Sequence, residues 1–278
     1  MMTSRKNTFS LSLGISAIAR VLILGLLAFV IFGPITNMLL WAVAEVWYYP
    51  HKLPLEWGFS FWERVFRPQG NAMESLITSV AIAVLTVIVS MAVAIPAGYA
   101  LARGRLPWRN IILLLFLLPQ AFPAVAVHMN IARIFYGLGL TGTVGGVVLV
   151  HALQGLVFAV WIATAAFSAV DPELESAARS VGASRVRAFF DITLPLALPG
   201  VLASAIFVFL ISMDEFTGTY FVGAPDVVTV PMLLFTSSME GNYQIASISS
   251  LILLVPSVLF MLVIEKFLKA DVLAKVGT

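Results

Sequence analysis

Long apolar runs dominate this chain, and each has about the length that a helix needs to cross a bilayer. The runs are continuous and lack the alternation of polar and apolar residues that marks a membrane barrel strand. Of the 278 residues, 60% are hydrophobic and 11% are charged, whereas charged residues make up about 25% of an ordinary soluble domain. The sequence therefore predicts an all-α, polytopic membrane protein with the lipid bilayer as its solvent.

The apolar runs predict six transmembrane helices. Their approximate bounds are 17–43, 74–101, 110–127, 142–167, 198–213 and 245–264. Pro119 and Pro123 interrupt the third run, and Pro195 and Pro199 break the pattern before the fifth. Residues 214–244 are rich in Gly and Pro, so we expect turns there with one short helix.

Aromatic residues crowd the segment 44–73 between the first two spans. Trp and Tyr rings favour the headgroup region of a bilayer, so this segment is predicted to lie along the membrane surface. An aromatic platform that binds sugars is the alternative.

Lys and Arg are distributed unevenly between alternate connections. Twelve lie on the side of the termini and of the second–third and fourth–fifth connections, against four on the other side. Cytoplasmic loops carry the excess of positive charge in membrane proteins. Both termini and the stretch 171–195 are therefore predicted to be cytoplasmic.

The stretch 171–195 is the longest polar interruption of the apolar pattern. Asp171 followed by Pro172 is typical of a helix N-cap and first turn, and Glu173 and Glu175 would lie at the positive end of the helix dipole. Gly182 is expected to adopt a positive φ in the turn that follows. A short charged helix and turn between two spans suits the docking of another protein.

Motifs for catalysis are missing from the sequence. It contains no phosphate-binding loop, no H-E-x-x-H, no G-x-S-x-G and no cysteine, so we predict no catalytic residue, no metal site and no cofactor. His151 falls inside the fourth run, where it is either functional or simply bonded to a neighbouring carbonyl. Membrane-embedded acids are nearly absent, which disfavours a proton-driven carrier, and no channel filter is visible.

The residues E-S-A-A-x-x-x-G (175–182), followed by I-x-L-P (192–195), resemble the cytoplasmic "EAA" loop of permease subunits in bacterial ABC importers. The resemblance covers about residues 72–268. It implies a type I ABC importer permease fold, a place in the bacterial inner membrane, and a single transmembrane domain over 1–278. It assigns ATPase coupling to Glu175, Ser176, Ala177, Ala178, Arg179, Gly182 and Ala183. In the family pattern a glutamate directly precedes the two alanines, whereas this chain has Ser176 there.

The resemblance also implies partners. These are a second permease subunit, giving a heterodimer, two cytoplasmic ATPase subunits that bind ATP and Mg, and a solute-binding protein; no nucleic acid is implied. A membrane scaffold without transport activity and a secondary carrier remain alternatives.

The segment Ser212-Met-Asp-Glu-Phe216 is similar to the spermidine/putrescine branch of these permeases. It suggests a polyamine as the solute, with sugar, opine, iron and aminoethylphosphonate as alternatives. The predicted pathway residues are Asp214, Glu215, Phe216 and Tyr220. Together with Asp226 and Glu240 the acids would make a negative outer mouth that attracts cations. The alternative is that they are merely hydrated or cap a turn.

Overall fold

The computed structural model describes residues 5–67, 71–104 and 106–276, and within these ranges it describes side chains from residue 19 to 262 and at 265. Some basic residues of the charge count therefore lie outside the described set. These are Arg105 and the side chains of Arg5, Lys6, Lys266, Lys269 and Lys275.

The described chain is mostly helical, with one short hairpin near the outer aromatic segment. In order, the elements are α1 (Arg5–Ala42), β1 (Ala44–Val46), β2 (Glu56–Trp57), α2 (Ser60–Phe66), α3 (Ala72–Arg103), α4 (Arg109–Leu117), α5 (Ala124–Gly137), α6 (Val144–Ser168), α7 (Pro172–Ser180), α8 (Arg185–Ala188), α9 (Leu194–Asp214), α10 (Thr217–Val222), α11 (Val230–Met239) and α12 (Tyr243–Val276). Among the described residues, five helices are long and apolar enough to span a membrane, and the bent pair α4 and α5 makes a sixth when it is counted as one span. The six-span helical prediction is confirmed.

Helix α6 lies at the centre of the bundle and packs against both α3 and α9. Small residues allow these close approaches. A Cβ on Gly98 of α3 would lie 2.8 Å from Ala163 Cβ of α6, and one on Gly155 of α6 would lie 3.0 Å from Val208 Cγ1 of α9. In lipid, where burial of apolar surface drives little association, such close packing holds helices together.

Gly142, Gly145 and Gly146 cluster at the start of α6. A Cβ on Gly145 would meet nothing within 4 Å, and one on Gly146 would meet its own chain at Leu140 and Thr143. Gly142 has a φ of +71° and adjoins Asp226. Gly142 thus lies in the turn that enters α6, while Gly145 and Gly146 lie in the first turn of the helix, which begins at Val144.

The third span is broken, and it extends further than the predicted 110–127. Helix α4 passes through a 3-10 turn (Leu118–Ala121) into α5, and the two parts are bent by 96°. Pro119 lies in that turn and Pro123 is the N-cap of α5. Proline offers no N–H and cannot continue the helix, which accounts for the break at this position.

The fifth span begins earlier than predicted. The helical segment runs from Arg185 to Asp214, with π-helical turns over Phe189–Thr193 between α8 and α9. The predicted break at Pro195 and Pro199 is therefore wrong. Wider π turns precede Pro195, which opens the first turn of α9, so its missing N–H does not end the helix.

The segment 214–244 contains two short helices, α10 and α11, and not one. Helix α10 packs on α5 and α6, and α11 packs on α12. Buried apolar residues such as Val222 and Val230 fix these helices against the bundle.

The described parts of the aromatic segment, residues 44–67 and 71–73, pack at one end of the bundle. Trp41 and Trp47 stack with ring centroids 4.3 Å apart, and the indole N–H of Trp62 donates to the carbonyl of Ala42 at 2.7 Å. The Glu45 carboxylate accepts hydrogen bonds from the backbone N–H and hydroxyl of Ser60, at the start of α2. Contact of this segment with the membrane surface stays a prediction.

Candidate coupling helix and solute pathway

Helix α7 has the start and the end that its sequence predicts. Asp171 Oδ1 accepts a hydrogen bond from the backbone N–H of Glu173 at 2.9 Å, and Pro172 opens the helix. The turn that follows contains Gly182 with a φ of +97°. Both expectations, the N-cap and the positive φ, are confirmed.

Most of the predicted coupling residues face outward on α7 and its turn. Ser176, Ala177, Arg179 and Gly182 are exposed, while Ala178 and Ala183 are partly buried. Between Arg179 and Ala183, Val181 is 87% exposed. These residues form a small projecting surface, with the apolar side chain of Val181 at its tip and the charged side chain of Arg179 nearby.

Glu175 differs from its neighbours, because its carboxylate points into the bundle. Its Oε1 accepts a hydrogen bond from Tyr99 Oη at 2.6 Å, and its Oε2 accepts one from Thr193 Oγ1 at 3.2 Å. Arg103 Nε lies 3.7 Å from Oε2, and the two side chains are only 13% and 15% exposed. Glu175 therefore ties α7 to α3 and to the π segment before α9.

Neighbouring contacts reinforce this attachment. Arg103 Nη2 donates to the carbonyl of Val170, just before α7, at 2.6 Å. The ring of Tyr99 packs edge-on against Phe167 and Phe189. The polar contacts of Glu175 thus lie beside an aromatic cluster that joins α3, α6 and the π segment.

At the opposite end of the bundle, the structure separates the two adjacent acids Asp214 and Glu215. Asp214 ends α9 and is exposed. The Glu215 side chain is 10% exposed, with Oε1 4.0 Å from His128 Nε2, and it accepts a hydrogen bond from Gly218 N at 2.6 Å. The alternative that an acid here caps a turn is confirmed for Glu215.

The acids of the predicted negative mouth lie in different surroundings. Asp226 adjoins Gly142 and shares a cavity of about 220 Å³ with Glu74. Glu240 Oε2 accepts a hydrogen bond from Asn242. The expectation of one acidic mouth built from all four acids is therefore wrong, because Glu215 turns inward.

The predicted pathway residues Phe216 and Tyr220 belong to an aromatic cluster with Phe235 of α11. Phe216 lies 4.3 Å from Phe235 and 5.5 Å from Tyr220, measured between ring centroids. This cluster connects α10 to α11.

Two buried histidines adjoin α10. His151 of α6 is bonded through both ring nitrogens, to Ser212 Oγ at 2.8 Å and Thr219 Oγ1 at 2.9 Å. Its partners are hydroxyl groups on α9 and α10 and not the carbonyl that the sequence suggests. It therefore fastens three helices together.

His128 of α5 is a site residue that the sequence analysis missed. It is 1% exposed, and its Nε2 lies 3.1 Å from Gln154 Nε2. A cavity of about 160 Å³ borders both residues at the bend of the broken span. The signal in the sequence is an ionisable residue inside an apolar run. It was missed because the predicted third span ends at residue 127, one position before His128.

Comparison with known proteins identifies the family. Residues 94–272 match the family "Binding-protein-dependent transport system inner membrane component". The chain belongs to this family. It is therefore a multi-pass inner membrane permease component of an ABC importer, a class that works with a solute-binding protein and ATPase subunits.

Relatives of this permease differ in their solutes. The chain is 27% identical over 220 residues to the trehalose transport system permease protein SugB of Mycobacterium tuberculosis, covering 77% of this chain and 80% of the relative. It is 35% identical over 183 residues to a protein of Haloferax volcanii named "Probable molybdenum ABC transporter permease protein", covering 63% and 68%. These names point to a sugar and to molybdenum and give no support to a polyamine.

A solved structure shares the fold of this permease. It is a chain of a bacterial ABC transporter involved in the import of the acidic polysaccharide alginate, with a TM-score of 0.68 and 18% identity over 92% of this chain and 97% of that one. The type I importer fold predicted from the coupling motif is confirmed.

Proposed function

We propose that this permease forms half of a translocation pathway and that α7, with the turn at Gly182, is the surface through which an ATPase subunit drives it. The observation that carries the proposal is the combination of exposure and attachment in one short helix. Its outer face is free to bind a partner, while Glu175 fixes its inner face to α3 and the π segment.

The attachment gives α7 the properties of a lever. An ATPase that moves α7 would pull on Tyr99 and Arg103 of α3 and on Thr193 ahead of α9. Since α3, α6 and α9 pack closely through small residues, these helices would move as one body. A second permease subunit would supply the opposing wall, and the cavity between the two would open alternately to each side.

Solute would arrive from a binding protein at the face that carries residues 44–73 and 214–244. The relatives compared above favour a sugar or an oxoanion over the polyamine first suggested by Ser212–Phe216. The residues that line the cavity at the bend of the third span favour one of these two solute classes over the other.

A test of the coupling role compares two glycines of similar conformation. Gly182 and Gly241 have φ values of +97° and +77°, and a Cβ at either would meet nothing within 4 Å. Replacement by Asp costs a comparable backbone strain of about 1–2 kcal/mol at each. We expect Gly182→Asp to abolish binding-protein-stimulated ATP hydrolysis by the reconstituted complex, while Gly241→Asp retains it.

Membrane insertion of both variants is checked first by their yield in washed membranes. Retention of stimulated ATP hydrolysis by an inserted Gly182→Asp variant would contradict the coupling role. Failure of the wild-type chain to co-purify with any ATPase would favour the scaffold alternative instead.

A further inference from the structure

We propose that the cavity at the bend of the third span binds one ring of a neutral polyhydroxy solute, a sugar or a cyclic polyol. We call it the elbow cavity; it lies between the 3-10 turn (Leu118–Ala121), the start of α5, and α6 at Leu153 and Gln154. The inference rests on the import function proposed above and names the solute class.

The first argument is the broken backbone. At membrane depth, irregular backbone is tolerated where protein covers it or where it lines a cavity. Transporters use discontinuous helices of this kind to hold their solutes. Here the 96° bend between α4 and α5 leaves the elbow cavity on its inner side.

The second argument is an unsatisfied buried donor. Gln154 Nε2 lies 3.1 Å from His128 Nε2, and where the amide nitrogen donates across this contact the ring proton of His128 lies on Nδ1. That Nδ1 is buried and has no hydrogen-bond partner among the residues that the structure describes. Buried polar groups are almost always paired, because an unpaired one is costly. Nδ1 is closed to the empty cavity, so a solute hydroxyl would accept from this donor only after the imidazole ring turns toward the cavity.

The third argument is size and lining. The elbow cavity measures about 160 Å³, and an engineered cavity of about 150 Å³ holds benzene, so one six-membered ring fits. Phe122 offers an aromatic face to the apolar side of such a ring, while Gln120 and Gln154 offer amide donors and acceptors. Mostly apolar walls with a few convergent polar groups are typical of small-molecule sites.

The fourth argument is charge. No Lys, Arg, Asp or Glu is among the described residues that line the elbow cavity. The start of α5 presents N–H groups, but the Glu215 carboxylate lies 4.0 Å from His128 Nε2 and opposes an anion. That carboxylate already accepts from Gly218 N, so it offers little to a polyamine. Neutral hydroxyl groups fit this environment better than an oxoanion or a polycation.

The test uses the full importer in proteoliposomes: this permease, its partner permease, the ATPases and the binding protein. ATP-driven uptake is measured for a panel of sugars and cyclic polyols, for molybdate and for spermidine. We expect uptake of a sugar or polyol. Uptake of molybdate or spermidine alone would overturn the proposal, as would stimulated ATP hydrolysis without uptake of any panel sugar. Loss of ATP-driven activity altogether would instead count against the import function.

Variants then place the site. We expect His128→Leu and Gln154→Leu each to raise the KM for uptake about tenfold, the effect of one lost hydrogen bond, and to change the KM more than the maximal rate of uptake. His128→Gln, which keeps a hydrogen-bonding group, should recover part of the loss. Leu149→Met, one turn earlier on α6 and outside the cavity lining, is the control and should retain the wild-type KM. An unchanged KM in both leucine variants would overturn the assignment.

Discussion

The carboxylate of Glu175 accepts a 2.6 Å hydrogen bond from the hydroxyl of Tyr99, which lies 76 residues earlier on another helix. This contact, with the nearby guanidinium of Arg103, explains how a short polar helix can be both exposed and rigidly held. Glu175 is thus assigned to positioning α7, and the outward residues of α7 remain the predicted ATPase contacts.

We predict that Glu175→Gln will weaken the attachment of α7. Loss of the carboxylate leaves Arg103 without its ionic partner and weakens the bonds from Tyr99 and Thr193. Hydrogen bonds to charged groups contribute about 1.5–3 kcal/mol, so the solute transported per ATP should fall. The measurement is uptake and ATP hydrolysis in the same proteoliposomes, together with amide exchange of residues 172–180.

Glu173→Gln is the matched control for that change, because Glu173 is an exposed acid on the same helix. It should retain the wild-type transport ratio. A merely structural defect would lower uptake and hydrolysis in parallel, whereas a positioning role lowers uptake more. Equal behaviour of the two glutamine variants would contradict the role of Glu175.

We predict that Gly98→Val will destabilise the bundle by about 1–3 kcal/mol, the usual cost of overpacking. Even a Cβ at Gly98 would lie 2.8 Å from Ala163 Cβ and 3.0 Å from the Ala163 carbonyl carbon. Gly25→Val on α1 is the control, since a Cβ there meets nothing within 4 Å. Thermal unfolding in detergent measures both; a similar loss in the two variants would argue against close packing of α3 on α6.

We predict that the start of α2 is pH-sensitive. Hydrogen bonds from Ser60 hold the pKa of the Glu45 carboxyl below its ordinary value. Because the folded-state pKa is lowered, the stabilisation is present above the ordinary pKa of glutamate and is lost as the pH falls through the lowered one. Amide exchange of residues 58–63 should be slower in the wild type than in Glu45→Gln at neutral pH, and equal at acidic pH.

Glu56→Gln serves as the control for this pH effect, because Glu56 is a neighbouring exposed acid on β2. It should exchange like the wild type at every pH. A difference between wild type and Glu45→Gln that persists in acid would show that charge is not the cause.

Features that depend on local chemistry could be predicted from the sequence. Asp171 caps its own helix and Gly182 sits in its own turn, so the few residues around each contain the whole explanation. The membrane spans could be predicted for a similar reason, because hydropathy is a property of the residues within each run and measures their transfer into lipid.

Features that depend on distant partners could not be predicted. The sequence around Glu175 does not indicate that its carboxylate contacts Tyr99 and Arg103 of α3. In the same way, the sequence around Glu215 does not indicate that it lies close to His128 of α5. Prolines were ambiguous for a related reason. The span is broken at Pro123, whereas the helical segment continues through Pro195 because π-helical turns precede it. The packing of the surrounding helices, and not the proline itself, determines which of these outcomes occurs.

The contacts of Glu175 also have an order in time. Tyr99 and Arg103 are synthesised before Glu175, and Thr193 is synthesised after it. The acid is therefore synthesised after its cationic partner, and both are present in the nascent chain before Thr193 is added. The last attachment forms only when the start of the fifth span appears, so a nascent chain presents a finished docking helix only once most of its bundle has been made.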